Sequence, residues 1–435
     1  MMNKTFKSMV RFAWLLAFLL PAVAMAEDVY DFDVDGIYYK ILENGDEVSV
    51  TYKSYRYISH MDYFESDYTG EIIIPANVTF NGKTFQVTQI GDHAFYQKGS
   101  VTSITIPASI NSIDYDAFYY CTGLTRVNIT DMAAWCNMTC HSSPLLYARH
   151  LYLNGTEVTD LMIPEGVTAI RNEAFSQCDG LTSVTIGNSV KTIGDNAFAG
   201  CMGLKGVSIG NGVTEIGGVA FEGCTNLVSV SLGNAVVTIK NSAFSGCTSL
   251  ESIVIPNSVI EVGGGAFKNC TSLASAIVGN SVTTIGGSAF SGCTALKSID
   301  IPNSVTEISM MAFKGCSSLA SVGLGNSLTS IGKQAFLNCP AIEKVISKAA
   351  TPPSWDGDLS MFTTNVYNHA QLHVPKGADR TYIADQCWGQ FLNIIGDIDD
   401  GSPAVDEDYL KCDVNGDGVV NITDVNKVIA TILSH

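Results

Sequence analysis

Cys247-Thr-Ser-Leu-Glu-Ser-Ile-Val-Ile-Pro-Asn-Ser-Val-Ile-Glu-Val-Gly-Gly-Gly-Ala-Phe-Lys-Asn269 is one of seven consecutive copies of a 23-residue phrase that runs from Cys178 to Asn338 without insertion or deletion. A fixed period of this length means one supersecondary unit stacked on itself, a solenoid, in place of a compact globule. Such a chain presents a long repetitive surface. That surface suits binding and gives little reason to expect a catalytic pocket.

Counted from its Cys, each copy is apolar at positions 4, 7, 9, 13, 16, 20 and 21; one set is Leu181, Val184, Ile186, Val190, Ile193, Ala197 and Phe198. Positions 7 and 9 alternate with Ser183 and Thr185, which predicts a strand with one buried face. Gly or Pro at position 10 marks a corner. Position 11 is Asn in every copy (Asn188, Asn211, Asn234, Asn257, Asn280, Asn303, Asn326), and a stacked carboxamide can bond the backbone of the next turn. A second short strand is expected near positions 13 to 16, then a short helical or 3₁₀ turn around Ala-Phe, with the Phe filling the coil interior. Outward strand positions read mainly Ser, Thr, Ala and Gly, a smooth and weakly charged sheet.

The pattern extends beyond the perfect copies. Ala94-Phe95 and Ala117-Phe118 belong to earlier coils, and the 57-residue interval from Phe118 to Phe175 is two periods plus 11. Roughly a dozen coils between Glu71 and Ser347, at one strand spacing each, make an array about 60 Å long. Residues 27–70, rich in Tyr, read as a β-rich N-terminal cap. Residues 348–396, ending in Trp388, Phe391 and Ile394, read as a C-terminal cap.

Thirteen cysteines in an exported chain would ordinarily suggest disulfides. Nine of them (Cys121, Cys178, Cys201, Cys224, Cys247, Cys270, Cys293, Cys316, Cys339) hold one repeat position. Side chains stacked in parallel cannot adopt the twisted geometry of a disulfide. They are therefore expected as a buried ladder of free thiols. Cys136 and Cys140 beside His141 lack a fourth ligand for zinc and read as structural thiols or a local disulfide. The pairing of Cys387 and Cys412 stays open.

Lys4, Lys7 and Arg11, the apolar run Phe12 to Val23, and Ala24-Met25-Ala26 read as a signal peptide over residues 1–26, cleaved after Ala26. The chain carries a formal net charge of −18, which disfavours a nucleic-acid partner. No later stretch is long enough to span a bilayer, so a secreted or surface-attached protein is expected.

The phrase Ile-Pro-x-Ser-Val-x-x-Ile-Gly-x-x-Ala-Phe-x-x-Cys-x-x-Leu resembles the leucine-rich repeats of BspA-like surface proteins. So do the flanks Tyr30-Asp-Phe-Asp-Val-Asp-Gly-Ile-Tyr-Tyr39, Ala350-Thr-Pro-Pro353 and Val374-Pro-Lys-Gly377. The resemblance covers about residues 28–396. It implies a curved, right-handed leucine-rich-repeat solenoid over residues 71–347, exported, with roles in adhesion to proteins or glycoconjugates on host or bacterial surfaces.

After an acidic linker, residues 397–411, comes Asp413-Val-Asn-Gly-Asp-Gly-Val-Val-Asn-Ile-Thr-Asp424, a 12-residue calcium loop. Its oxygen donors are Asp413, Asn415, Asp417, Asn421 and Asp424, with the Val419 carbonyl at position 7, and Gly418 permits the sharp turn. Residues 412–435 are thus read as an EF-hand-like Ca²⁺ module. With its following helical spacing, the loop resembles one half of a type I dockerin. Dockerins carry two copies and this chain has one, which leaves a cohesin partner open.

No nucleophile elbow, zinc-protease helix, phosphate loop or dinucleotide fingerprint is present. The sequence therefore points to a mainly β repeat solenoid with a small C-terminal module, non-enzymatic and serving in binding or adhesion. The alternative is a non-catalytic, dockerin-bearing component of a polysaccharide-degrading assembly.

Overall fold

The protein is described from a computed structural model over residues 27–58, 61–356 and 361–399. The signal segment and the calcium-loop residues Asp413, Asn415, Asp417, Val419, Asn421 and Asp424 lie outside the described residues.

The chain winds into a solenoid of about 13 turns. Each regular coil contributes one strand of three or four residues and one of two residues. In the copy quoted above these are Ser252–Val254 and Glu261–Val262. The two-residue strands form an unbroken nine-stranded parallel sheet from Ala169–Ile170 to Ser354–Trp355. They pair like with like at the repeat period, Ile193 with Ile216 and Ile216 with Ile239. The register is fixed because a one-residue slip would turn the buried Ile row to solvent.

Phenylalanine fills the interior. Phe175, Phe198, Phe221, Phe244, Phe267, Phe290, Phe313 and Phe336 stack with centroids 5.1–5.5 Å apart and planes within 16° of parallel. The column continues into Phe362 of the C-terminal region. Every one of these rings in the regular copies is wholly buried, and each is covered by the ring above and the ring below.

The short helical or 3₁₀ turn expected around Ala-Phe is a run of turns in which only alternate amides make the three-residue, 3₁₀-type bond. Ala197 and Ala199 donate to carbonyls three residues back, whereas Phe198 and Gly200 donate to Ala220 and Glu222 of the next coil. A helix would direct every amide back along its own chain. Here every second amide leaves the coil to stitch it to its neighbour. Left-handed residues at both ends of the turn, Asn196 (φ 56°) and Gly200 (φ 69°), make the alternation possible.

The thiol ladder is present, with a role beyond packing. All nine ladder cysteines are free and buried. Eight donate Sγ–H to the Phe carbonyl of the preceding coil at 2.9–3.2 Å, as Cys247 does to Phe221. In most coils that carbonyl also accepts the amide of its own Cys. The Cys position is therefore a hydrogen-bonded rung and not merely a small apolar filler. Asparagine forms a second set of rungs at the corner. Asn188 Oδ1 accepts the Asn211 amide at 2.7 Å, and Asn211 serves Asn234 in the same way.

The 11-residue surplus before Phe175 resolves into two parts. The coil that carries the helix Met132–Asn137 also keeps its short strand, Thr139–Cys140, paired in parallel with Ser112–Ile113, and it spans 24 residues, from Val127 to its partner Leu151. A tight hairpin, Leu151–Leu153 with Thr156–Glu157, then returns the chain to the next coil in 10 residues, from Leu151 to Leu161. Trp135 fills the interior at this joint and donates Nε1–H to Ala174 O at 2.9 Å. The hairpin belongs to the strand face. Cys136 and Cys140 are free thiols, and the Arg171 guanidinium lies against both them and the Trp135 ring.

At the start, Phe32, Tyr39, Val48 and Val50 are buried, and the strand Glu47–Thr51 pairs in parallel with Lys83–Ile90. At the other end, Gln371–Pro375 and Asn393–Ile398 add two parallel strands. Over them Trp388 donates to Pro353 O and Tyr382 to Ala349 O.

Burial pushes the thiols of Cys121, Cys178 and Cys270 up to about 12. An unfolded thiol ionises near 8.5, so this contribution to stability is complete below about pH 8.5 and falls as pH climbs toward about 12. Melting temperature is expected to drop steeply across that window. Below it, a thiol reagent should label the nine ladder cysteines only after denaturation. Rapid native labelling, or fewer than nine free thiols in the denatured, unreduced protein, would contradict the ladder.

Candidate binding face

The longer strands of the coils line one side of the solenoid with their outward residues at repeat positions 6 and 8. Position 6 is small and polar in the regular copies, Ser in six and Gly206 in one. Position 8 departs from the smooth sheet expected from the sequence. Val254 and Ile277, each 58% exposed, stand side by side on paired strands. Met162 at the hairpin joint is 73% exposed.

This face is also not one continuous sheet. Hydrogen-bonded pairing stops between Ser229–Ser231 and Ser252–Val254, and again between Ser275–Ile277 and Ser298–Asp300. Both interruptions fall where a coil with Gly at position 10 meets one with Pro, Gly233 to Pro256 and Gly279 to Pro302. A proline stands at each of them. Where position 10 is Gly, as at Gly210, its amide can bond the carbonyl of the preceding coil (Ile186 O, 2.8 Å). Pro256 and Pro302 have no amide to give. The residue before each proline donates forward instead, Ile255 to Ile277 O and Ile301 to Gly323 O, both at 2.8 Å. The asparagine rungs fail at the same two steps: Asn280 bonds Asn257 and Asn326 bonds Asn303, but no rung joins Asn257 to Asn234 or Asn303 to Asn280.

Each interruption opens a groove. The first has a volume of about 860 Å³ and runs between Val230, Leu232, Val254, Pro256 and Ile277, with Asn234, Asn257 and Asn280 at its polar edge. Ser258 Oγ, on its wall, is buried without a partner. The second, about 510 Å³, shares Ile277 and is bordered by Asp300, Pro302, Asn303 and Lys348. A smaller groove of about 390 Å³ lies beside the hairpin, between Leu153, Met162 and Pro164. Ile-Pro corners therefore mark the concave places on this side. The sequence held that signal in the alternation of Gly and Pro at position 10, but a missing amide matters only when the coil before it offers a carbonyl.

The first groove is lined by apolar, Ser and Asn side chains, with no acid, base or thiol among them. Among the described residues no cluster of three or more His, Cys, Asp or Glu could hold a metal. No described helix is long and apolar enough to cross a membrane.

A family profile described as a BspA type leucine rich repeat region matches residues 88–143, 149–274 and 237–351 in six copies, more than half of the chain. The chain belongs to the BspA-type leucine-rich repeat family. Among solved structures, a leucine-rich repeat protein from Bacteroides ovatus is 27% identical to this BspA-type chain. The match covers 84% of this chain and 82% of that one, with a TM-score of 0.52. A leucine rich cell surface protein from Faecalibacterium prausnitzii is also 27% identical, over 77% of this chain and 95% of its own, with a TM-score of 0.45. The pneumococcal vaccine antigen PcpA is 17% identical, over 85% and 97%, with a TM-score of 0.41. No curated protein matches the chain.

Proposed function

We propose that this BspA-type chain is an exported, non-catalytic binding protein that holds a protein or glycoconjugate of a host or bacterial surface on its strand face, across the two proline grooves. The observation that carries this reading is the apolar pair Val254 and Ile277, exposed at the position held by Thr185, Ser208 and Ser231 in the preceding copies and flanked by asparagine edges. Solvent-facing apolar residues beside unpaired amides form a contact patch of the kind that macromolecular interfaces use at their centre. The signal-like segment Lys4 to Ala26 supports export. At the other end, the loop Asp413 to Asp424 supplies the donor set for Ca²⁺, and the tail is read as a calcium-held attachment or end-cap module.

Two measurements check this reading. Val254→Asp with Ile277→Asp changes only exposed side chains, so the variant should fold and melt as the parent does. In pull-downs from matrix-protein and bacterial-surface fractions it should lose at least about tenfold of whatever the parent retains. Retention of nothing by the parent, or equal retention by the variant, would count against the groove. For the tail, chelation should speed proteolysis after residue 399 while leaving solenoid melting nearly unchanged. A chelator without effect on the tail would remove the calcium assignment.

A further inference from the structure

Charge is unevenly placed along the chain. Residues 27–120 hold 15 Asp and Glu against 5 Lys and Arg, a net −10, whereas residues 121–356 hold 15 against 12, a net −3. Exposed aromatic side chains follow the same division. Among the described residues all five (Tyr57, Tyr63, Tyr115, Tyr119, Tyr120) lie in the acidic stretch.

Three of these tyrosines sit on the Ala-Phe turns, the side of the coils that carries the turns and not the long strands. Tyr119 stacks on Tyr96 of the preceding coil at 5.5 Å and meets Tyr120 edge-on at 4.5 Å and 84°. Tyr96 in turn packs on Phe64, whose ring lies 3.9 Å from His93. Alongside, Tyr115 stacks on His141 at 4.3 Å and remains 63% exposed. In the perfect copies the position of Tyr96 and Tyr119 is held by residues such as Ser176, Ala199 and Ser245, so the aromatic belt ends with the first coils.

Carboxylates are set into the belt. Asp92 accepts the Tyr115 amide at 3.0 Å, and Asp116 lies 3.8 Å from His93. Asp92 and Asp114 have no Lys or Arg partner among the described residues. Burial, and then the neighbouring Asp92 charge, push the Asp114 carboxyl above its ordinary range. Two neighbouring carboxylates without a Lys or Arg partner, Asp92 and Asp114 (the latter accepting from the Gln89 side chain), lie beside the exposed Tyr115 and form a half-built cation site: ring faces and carboxylates both attract ammonium and guanidinium groups.

We propose that the tyrosine belt of the first coils binds a cationic segment of a partner polypeptide, with Lys or Arg side chains against Tyr115, Tyr119 and Tyr120 and their charges on Asp92 and Asp114. Charge decides the class of partner. A net −10 over this stretch repels anionic ligands and adds nothing to the binding of a neutral glycan, but it steers and holds a basic peptide. The inference rests on the reading of the chain as a binding protein but not on the proline grooves, which lie on the strand side and in later coils.

The test uses the full exported chain and fluorescence anisotropy with three labelled probes: a short oligolysine-oligoarginine peptide, a Gly-Ser peptide of equal length, and a neutral soluble glucan. The basic peptide should bind, and the other two should not. Raising salt from about 0.05 M to about 0.5 M should weaken binding by about tenfold or more, because the interaction is exposed and charged. Tyr115→Ala with Tyr120→Ala, and separately Asp92→Asn with Asp114→Asn, should each weaken it by about fivefold or more. The tyrosine pair is exposed, so that variant tests the site even if the aspartate pair unfolds. No binding of the basic peptide, binding indifferent to the tyrosine variant, or preference for the glucan would overturn the proposal. If the grooves fail their own test while the belt variants still respond, only the strand-face reading falls.

Discussion

No coil of this protein can cover its own interior. A 23-residue turn buries its Leu, Val, Ile, Cys and Phe only because the coils above and below lie on them, and the column of parallel phenylalanines from Phe175 to Phe362 is the plainest record of that dependence. Stability is then shared between neighbours and vanishes at a bare end. The ends are closed accordingly. Tyr39 and Phe32 lie under the first coils, and Trp388, Tyr382 and Phe391 fold over the last. The same dependence fixes the surface, because strict stacking repeats whatever a coil shows outward.

Stacking also sets the hydrogen-bond demand. Each coil turns three corners, and the backbone groups freed there need partners. Alternate turn amides, the cysteine thiols and the corner asparagines each reach across to the adjacent coil, so the rungs that satisfy the corners also hold the stack together. At the two steps from Gly to Pro, Gly233 to Pro256 and Gly279 to Pro302, the long-strand sheet parts while the short-strand sheet continues unbroken. Grooves therefore arise without loss of the fold. The redundancy of the other rungs tolerates a local opening, and a ligand can use the unpaired edge.

Much of this was legible in the sequence because periodicity reports burial directly. The Ile-x-Ile alternation, the invariant Asn and the Ala-Phe plug each have one physical reading. Of the helical or 3₁₀ turn expected around Ala-Phe, the three-residue bonds are present at alternate amides, but the cross-coil bonds between them were not legible because a 3.6-residue pattern and a run of turns bury the same residues. Only the left-handed Asn196 and Gly200 distinguish them. The thiol as donor was missed because Cys packs as a small apolar group whether or not its hydrogen is used. Val254 and Ile277 were readable as position 8 of two copies, but their importance depends on the sheet opening beside them, which is a relation between coils. The same holds for the tyrosine belt, where Tyr96, Tyr119 and Phe64 meet only once the cap and the first coils are stacked.

Small-angle X-ray scattering of the protein tests the stacking most directly. Stacked coils should give an elongated particle with a narrow cross-section and an asymmetric distance distribution, the solenoid extending about 60 Å or more at one strand spacing per coil. A symmetric distribution typical of a sphere of the same mass would contradict it.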